Sequence, residues 1–166
     1  MSTRVIGPLA LAVTVLFSST ATARLPEFSD TRITPKSMGG AKLGMTYKQV
    51  VARWGRGGID EETEKACGGP ESHPAEWTCT WKSTAKPRAW VRFELGKADG
   101  IGIAGPRKSR PGRLRTHDGH GLGTPGEKLF MSSCQSNSGA TSVHYWCSGI
   151  TFEVNRTGKA VSVTIG

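Results

Sequence analysis

Leu43-Gly44-Met45-Thr46-Tyr47-Lys48-Gln49-Val50-Val51-Ala52-Arg53-Trp54-Gly55 is the stretch from which the rest of the chain can be placed. Tyr47, Val50, Val51 and Trp54 stand at i, i+3, i+4 and i+7, the spacing of one helix face. Thr46 is positioned as an N-cap, and Gln49, three residues on, closes a capping box. Gly55 offers the left-handed conformation that ends a helix. The pattern predicts a short amphipathic helix with a scaffold role and no chemistry of its own. A weaker version follows at Leu122-Gly123-Thr124-Pro125-Gly126-Glu127. Thr124 and Glu127 repeat the capping-box spacing, with Pro125 at the favoured first helical position. Leu129 and Phe130 then take the places of Val50 and Val51, although Gly126 and Ser132-Ser133 lower the helix propensity.

Strand signals follow the first helix. Trp77, Cys79 and Trp81 alternate with Thr78 and Thr80, and Ala89, Val91, Phe93 and Leu95 alternate with Trp90, Arg92 and Glu94. Gly96 to Gly100 reads as a turn before a third strand at Ile101 and Ile103, and turns this short make the meander antiparallel. Val91-Arg92-Phe93-Glu94-Leu95 is matched by Ile150-Thr151-Phe152-Glu153-Val154, and Gly96-Lys97-Ala98 by Gly158-Lys159-Ala160. An internal repeat of this kind constrains the fold more than a single motif does. The expected class is α+β, with two tandem helix-plus-antiparallel-meander repeats at residues 42–105 and 117–166 and the helices packed on one face of the sheet or sheets. Cys147 lies much closer to Phe152 than Cys79 does to Phe93, so the first hairpin of the second unit is expected to be shorter or absent.

Arg4, the apolar run Val5 to Phe17 and Ala21-Thr22-Ala23 have the form of a signal peptide, residues 1–23. The run is shorter than the ~20 residues that span a bilayer, and no second one follows, so the mature chain is expected to lack a transmembrane segment and to be secreted or held in the cell envelope. Residues 24–41, with Pro26, Pro35 and Gly39-Gly40 and no apolar period, read as a flexible leader. Four cysteines in an exported chain imply two disulfides, for which three pairings exist. The spacing favours Cys67–Cys79 and Cys134–Cys147, each worth about 3 kcal/mol in the chain-entropy view. A zinc site is disfavoured because no Cys-x-x-Cys pair is present, so no metal is expected. Asp60, Glu61, Glu62 and Glu64 read as solvated surface.

The chain carries 22 Lys and Arg against 13 Asp and Glu, a net charge of +9, which favours acidic partners. Five of these cations, Arg107, Lys108, Arg110, Arg113 and Arg115, crowd the linker 106–116. That run is either a solvated connector or a contact for an anionic envelope polymer. No nucleic-acid-binding motif accompanies it, and nucleic acid is not an expected partner.

Gly44-Met45-Thr46-x-x-Gln49-Val50, a glycine a few residues on and one cysteine pair per unit resemble the tandem repeat of the β-lactamase inhibitory protein (BLIP) group. The Gly-Met-Thr helix is also similar to that of the BamE/SmpA outer-membrane lipoprotein domain. The resemblance covers most of the mature chain as a pattern but few residues as a motif, and Thr124-Pro125-Gly126 departs from Gly-Met-Thr. It implies an exported binding module with helices on one side of an antiparallel sheet and a protein partner on the other. It does not imply β-lactamase inhibition, because the inhibitory loop has no counterpart that can be located here, and fold does not carry function across.

Motifs for catalysis are weak. Gly100-x-Gly102-x-x-Gly105 matches a dinucleotide fingerprint but runs into Pro106 and a basic segment instead of a helix, so it is rejected and no cofactor is expected. His117-Asp118-Gly119-His120 could begin a metal or acid–base site, but only His73 and His144 remain as histidine partners. Asn155-Arg156-Thr157 satisfies a glycosylation sequon and equally suits a hairpin turn, the preferred reading. Of five tryptophans, Trp54, Trp77 and Trp81 are expected inside, whereas Trp90 and Trp146 fall opposite the inward residues of their strands, with Arg92 beside Trp90. Trp and Arg are the residues of interface hot spots. The expectation is therefore a non-catalytic binding module for an exported or envelope protein, acting through Trp90, Arg92 and Trp146 and possessing an inhibitor-like character. The alternatives are an envelope polyanion binder using Arg107 to Arg115 and, least favoured, a hydrolase with a His117/His120 site.

Overall fold

The computed structural model describes residues 24–60, 66–68, 75–82, 87–132 and 134–166. The sequence-predicted helix forms as α1, Tyr47–Trp54, and its capping box is complete: Thr46 Oγ1 accepts from the Gln49 amide and Gln49 Oε1 accepts from the Thr46 amide at 2.9 Å. Gly55, at φ 81°, ends the helix and donates its N–H to the Val51 carbonyl at 2.8 Å.

The fold around α1 differs from the expected class. The chain is mostly β, with eleven strands and two short helices among the described residues, and the strands form two antiparallel sheets. A small sheet contains β1 (Ile33–Thr34), β2 (Ser37–Met38) and β3 (Ala41–Lys42). The large sheet is built from β4 (Ile59–Asp60), β5 (Glu76–Lys82), β6 (Arg88–Glu94), β7 (Lys97–Ala104), β8 (Gln135–Ser138), β9 (Ser142–Cys147), β10 (Ile150–Asn155) and β11 (Ala160–Ile165). Its order is β4-β5-β6-β7-β11-β10-β9-β8, so β7 and β11 pair at the centre and the halves share one continuous sheet. The expected α+β class, two tandem helix-plus-meander repeats with helices packed on the sheet or sheets, thereby gives way to a mostly β molecule with one core. The second helix, α2 (Gly126–Met131), has only six residues.

Local chemistry explains the strand joints. Leu95 and Gly96 between β6 and β7, and Ser148 and Gly149 between β9 and β10, all have positive φ, the pattern of a two-residue hairpin turn whose twist matches the strands. The first of these starts β7 at Lys97, four residues earlier than the expected strand at Ile101. The second makes the β9–β10 hairpin present and short. Asn155 Oδ1 accepts from the Thr157 amide at 3.1 Å and from Thr157 Oγ1 at 2.7 Å, closing the turn into β11.

Between its two edge strands the inner face of the large sheet is apolar. Cys79, Val91, Ile101, Ile165, Ile150 and Cys147 form one cross-strand row, and Trp81, Ala89, Ile103, Val163, Phe152 and Tyr145 the next. These side chains join Val50 and Trp54 of α1, Leu129 of α2, Leu114, Leu122 and the small sheet in a single core. Burial of this area is the main stabilising term. Cys67–Cys79 and Cys134–Cys147 are both disulfide-bonded. Among the described residues no helix is long and apolar enough to cross a membrane, and that fact together with the two disulfides is compatible with an exported protein.

Three further expectations are corrected. Residues 33–42 are not a loose leader: Ile33, Met38 and Ala41 are buried, and Phe28 meets Trp54 edge-on at 5.4 Å. Lack of helix or strand periodicity conceals segments that pack two residues at a time. Asp60 is buried beside Cys79 in β4 and is not solvated surface, while Glu61, Glu62 and Glu64 lie outside the described residues. The second capping box does not form. Pro125 occupies the N-cap position, and Thr124 Oγ1 instead accepts the Gly121 amide at 2.9 Å.

Candidate functional site

The outer face of the large sheet is where alternation sends the side chains that the core does not take. Trp77, Trp81 and Trp54 are buried, and Trp90 and Trp146 point away from the core, Trp90 half-buried and Trp146 43% exposed. The register places both in one row: Thr80, Trp90, Gly102, Thr164, Thr151, Trp146 and Gln135 are successive cross-strand partners. Four strand steps separate the two indoles, roughly 19 Å at the usual interstrand spacing.

Trp90 lies flat because its cross-strand partner has no side chain. A Cβ on Gly102 would collide with the six-membered ring of the Trp90 indole. The Arg88 guanidinium stands 5.2 Å from the Trp90 ring centroid, a cation–π contact. On the other side Arg92 grips Asp99, with Nη2 at 2.7 Å and Nε at 2.9 Å from the same carboxylate oxygen, and Glu76 lies 3.8 Å away. Hydrogen bonding to Asp99 raises the Arg92 pKa further above its ordinary value. Asp99 reaches that position because the ladder shifts between Arg92 and Phe93, a bulge that turns an extra residue toward the outer face. Thr78, Arg88, Trp90, Arg92, Gly100 and Thr164 line a shallow groove of about 350 Å³. At the far end of the row the His144 ring stacks on Trp146 with centroids 6.3 Å apart.

The linker cations are not part of this face. Arg107, Lys108, Arg110 and Arg113 are exposed around a 3-10 turn at Pro111–Arg113 that buries Pro111, and Leu114 enters the core. Arg115 is half-buried, its Nη1 donating to the carbonyls of Gly112 and Leu114 at 2.6 Å each, while its backbone bonds Thr31 and Ile33. This segment is thus a folded element that clamps residues 31–33 and not a free connector. His117 and His120 do not assemble a metal centre: His120 Nε2 meets Ser132 Oγ at 2.8 Å, and no group of three His, Cys, Asp or Glu side chains converges among the described residues. His73 lies outside them.

Sequence reasoning placed Trp90, Arg92 and Trp146 on a common face but missed Arg88 and Gly102. Arg88 is visible only as a residue two before Trp90, on the same face by alternation. Gly102 belongs to the Gly100-x-Gly102-x-x-Gly105 run, and its service to Trp90 depends on a pairing that distant residues decide. No family model matches the chain, and neither a curated protein nor a solved structure matches it.

Proposed function

We propose that this protein is an exported, non-catalytic binding module that holds another protein on the outer face of its large sheet. The observation that carries the reading is the single cross-strand row joining Trp90 to Trp146. A flat indole braced by Gly102 and flanked by Arg88 and Arg92 has the composition of an interface anchor, since Trp and Arg are enriched at interface hot spots. The inhibitor-like role implied by the BLIP-group resemblance is one form such binding would take, with the partner an exported or envelope enzyme.

A second reading is supported by a different observation. Arg107, Lys108, Arg110 and Arg113 are all exposed and form no ion pair among the described residues, so an anionic envelope polymer would find them unneutralised. The two readings separate in one experiment. The immobilised protein is exposed to the producer's exported fraction at low and high salt, alongside Trp90→Ala, Trp146→Ala and Arg110→Ala. Retention of a protein that survives salt and is lost with either tryptophan supports the sheet face. Retention that collapses with salt and with Arg110→Ala supports the polymer instead.

A further inference from the structure

A third region, which shares Arg107 with the polymer reading, adds a concavity that neither reading uses. Where the chain passes from the basic segment into α2, Arg107, Arg115, Asp118, His120 and Lys128 line a pocket of about 150 Å³. Three permanent cations face one carboxylate there, and none of the three forms an ion pair among the described residues. Concentrating like charges around a concave surface leaves a positive potential that a bound anion offsets.

The pocket is built. Two backbone carbonyls hold the Arg115 guanidinium in place, as described above, so its orientation does not have to be fixed when a ligand arrives. Glycines let both arginines pack close to the backbone: a Cβ on Gly121 would collide with the Leu114 carbonyl and crowd Arg115 Nη1, and one on Gly123 would crowd the Arg107 side chain at 2.8 Å. Gly123 also has φ 79°, which side chains rarely adopt. Burial, and after it the charge of Arg107, lowers the Arg115 pKa.

We propose that this pocket binds a tetrahedral oxyanion, a phosphate or phosphate monoester, between Arg107, Arg115 and Lys128. Planar guanidiniums match two oxygens of such a group at once, and the lysine adds a point charge at the rim. Asp118 offsets one of the three positive charges, so the lining keeps a net positive balance toward an anion. The inference does not depend on the sheet-face reading, because Trp90 and Trp146 lie outside the pocket.

The test is isothermal titration calorimetry of the purified, oxidised protein with inorganic phosphate and with glycerol phosphate, at ionic strength held constant with chloride. The expected result is saturable one-to-one binding, weakened about tenfold by Arg107→Ala and by Lys128→Ala, since each removes a charge-assisted hydrogen bond. Lys128→Glu, at an exposed helix position, is expected to abolish it with the melting temperature unchanged. Tighter binding of glycerol phosphate supports an esterified headgroup as the ligand, and tighter binding of inorganic phosphate supports the free ion. Absence of saturation with both ligands, or equal weakening by Arg110→Ala, which lines a different groove, would overturn the proposal.

Discussion

The two halves of the large sheet use the same backbone contacts and fill them differently. In the first, Gly44 donates to the Ala98 carbonyl at 2.7 Å and Ala98 to Met45 at 2.8 Å; in the second, Gly123 donates to Ala160 at 2.7 Å and Ala160 to Thr124 at 2.9 Å. Each half also carries a ladder shift, at Arg92/Phe93 and at Glu153/Val154. Side chains then part company. Trp54 stands edge-on to Trp81 at 5.2 Å and donates its indole N–H to the Gly39 carbonyl at 3.1 Å, and Trp77 stacks on Phe93 at 4.4 Å. In the second half Leu129 and Phe152 are buried, but α2 leaves Phe130 and Met131 67% and 83% exposed. The difference teaches that backbone contacts are set by glycine and turn chemistry, which short motifs carry. Apolar volume depends on what the rest of the chain supplies, and residues 28–42 supply it to the first half.

That comparison can be broken at its heaviest point. Trp54→Ala is expected to cost about 4 kcal/mol and Leu129→Ala about 3 kcal/mol, as large-to-small core changes do. Because both belong to one core, denaturant melts followed by tryptophan emission and by circular dichroism should show a single shared transition in each variant. Two separated transitions would mean that the halves are independent after all.

The disulfides come next. Replacing Cys134 and Cys147 by serine should cost about 3 kcal/mol through restored loop entropy. Replacing Cys67 and Cys79 should cost more, since the loops are of similar length, 12 and 13 residues apart, while Cys79 is fully buried and a serine there adds an unpaired hydroxyl. Equal midpoint shifts in urea would contradict the denser packing assigned to the first half.

A smaller effect tests the outer face. Gly102→Ala is expected to destabilise by about 2 kcal/mol and to change the emission of Trp90, because the new methyl group takes the place of the indole ring. Thr164→Ala, at the cross-strand partner in the second half, should stay under about 1 kcal/mol. Tyr47→Phe is the smallest change. It removes the hydrogen bond from Tyr47 Oη to the Cys67 carbonyl, 2.6 Å long, at a cost of about 1 kcal/mol. Burial raises the Tyr47 pKa, so its contribution is complete below the ordinary tyrosine range and fades as pH rises through the folded-state value. The phenylalanine variant should therefore show a weaker alkaline loss of stability in a pH series of melts.

How far the sequence could be read follows from the range of the forces involved. α1 was legible because Thr46, Gln49 and Gly55 act within a few residues of one another. The outward placement of Trp90 and Trp146 was legible because strand alternation is local. The same capping logic failed at Thr124, where the nearby Gly121 amide captured the hydroxyl that a helix would have used. The groove beside Trp90 was only half legible, since Arg88 and Arg92 lie on its own strand but Gly102 and Thr164 come from others.

By itself the sequence determined the first helix and the in-or-out phase of the tryptophans, and among three possible pairings its spacing favoured Cys67–Cys79 and Cys134–Cys147, the pairs that the structure bonds. All three readings rest on chain-local geometry and redox chemistry. Only the tertiary structure decided that β7 pairs with β11 to merge two meanders into one sheet, that residues 33–42 fold beneath it, and that Arg107, Arg115 and Lys128 meet across a glycine-lined pocket. Those outcomes rest on burial between segments many residues apart. The area each removes from water depends on the final packing, which no single stretch of sequence encodes.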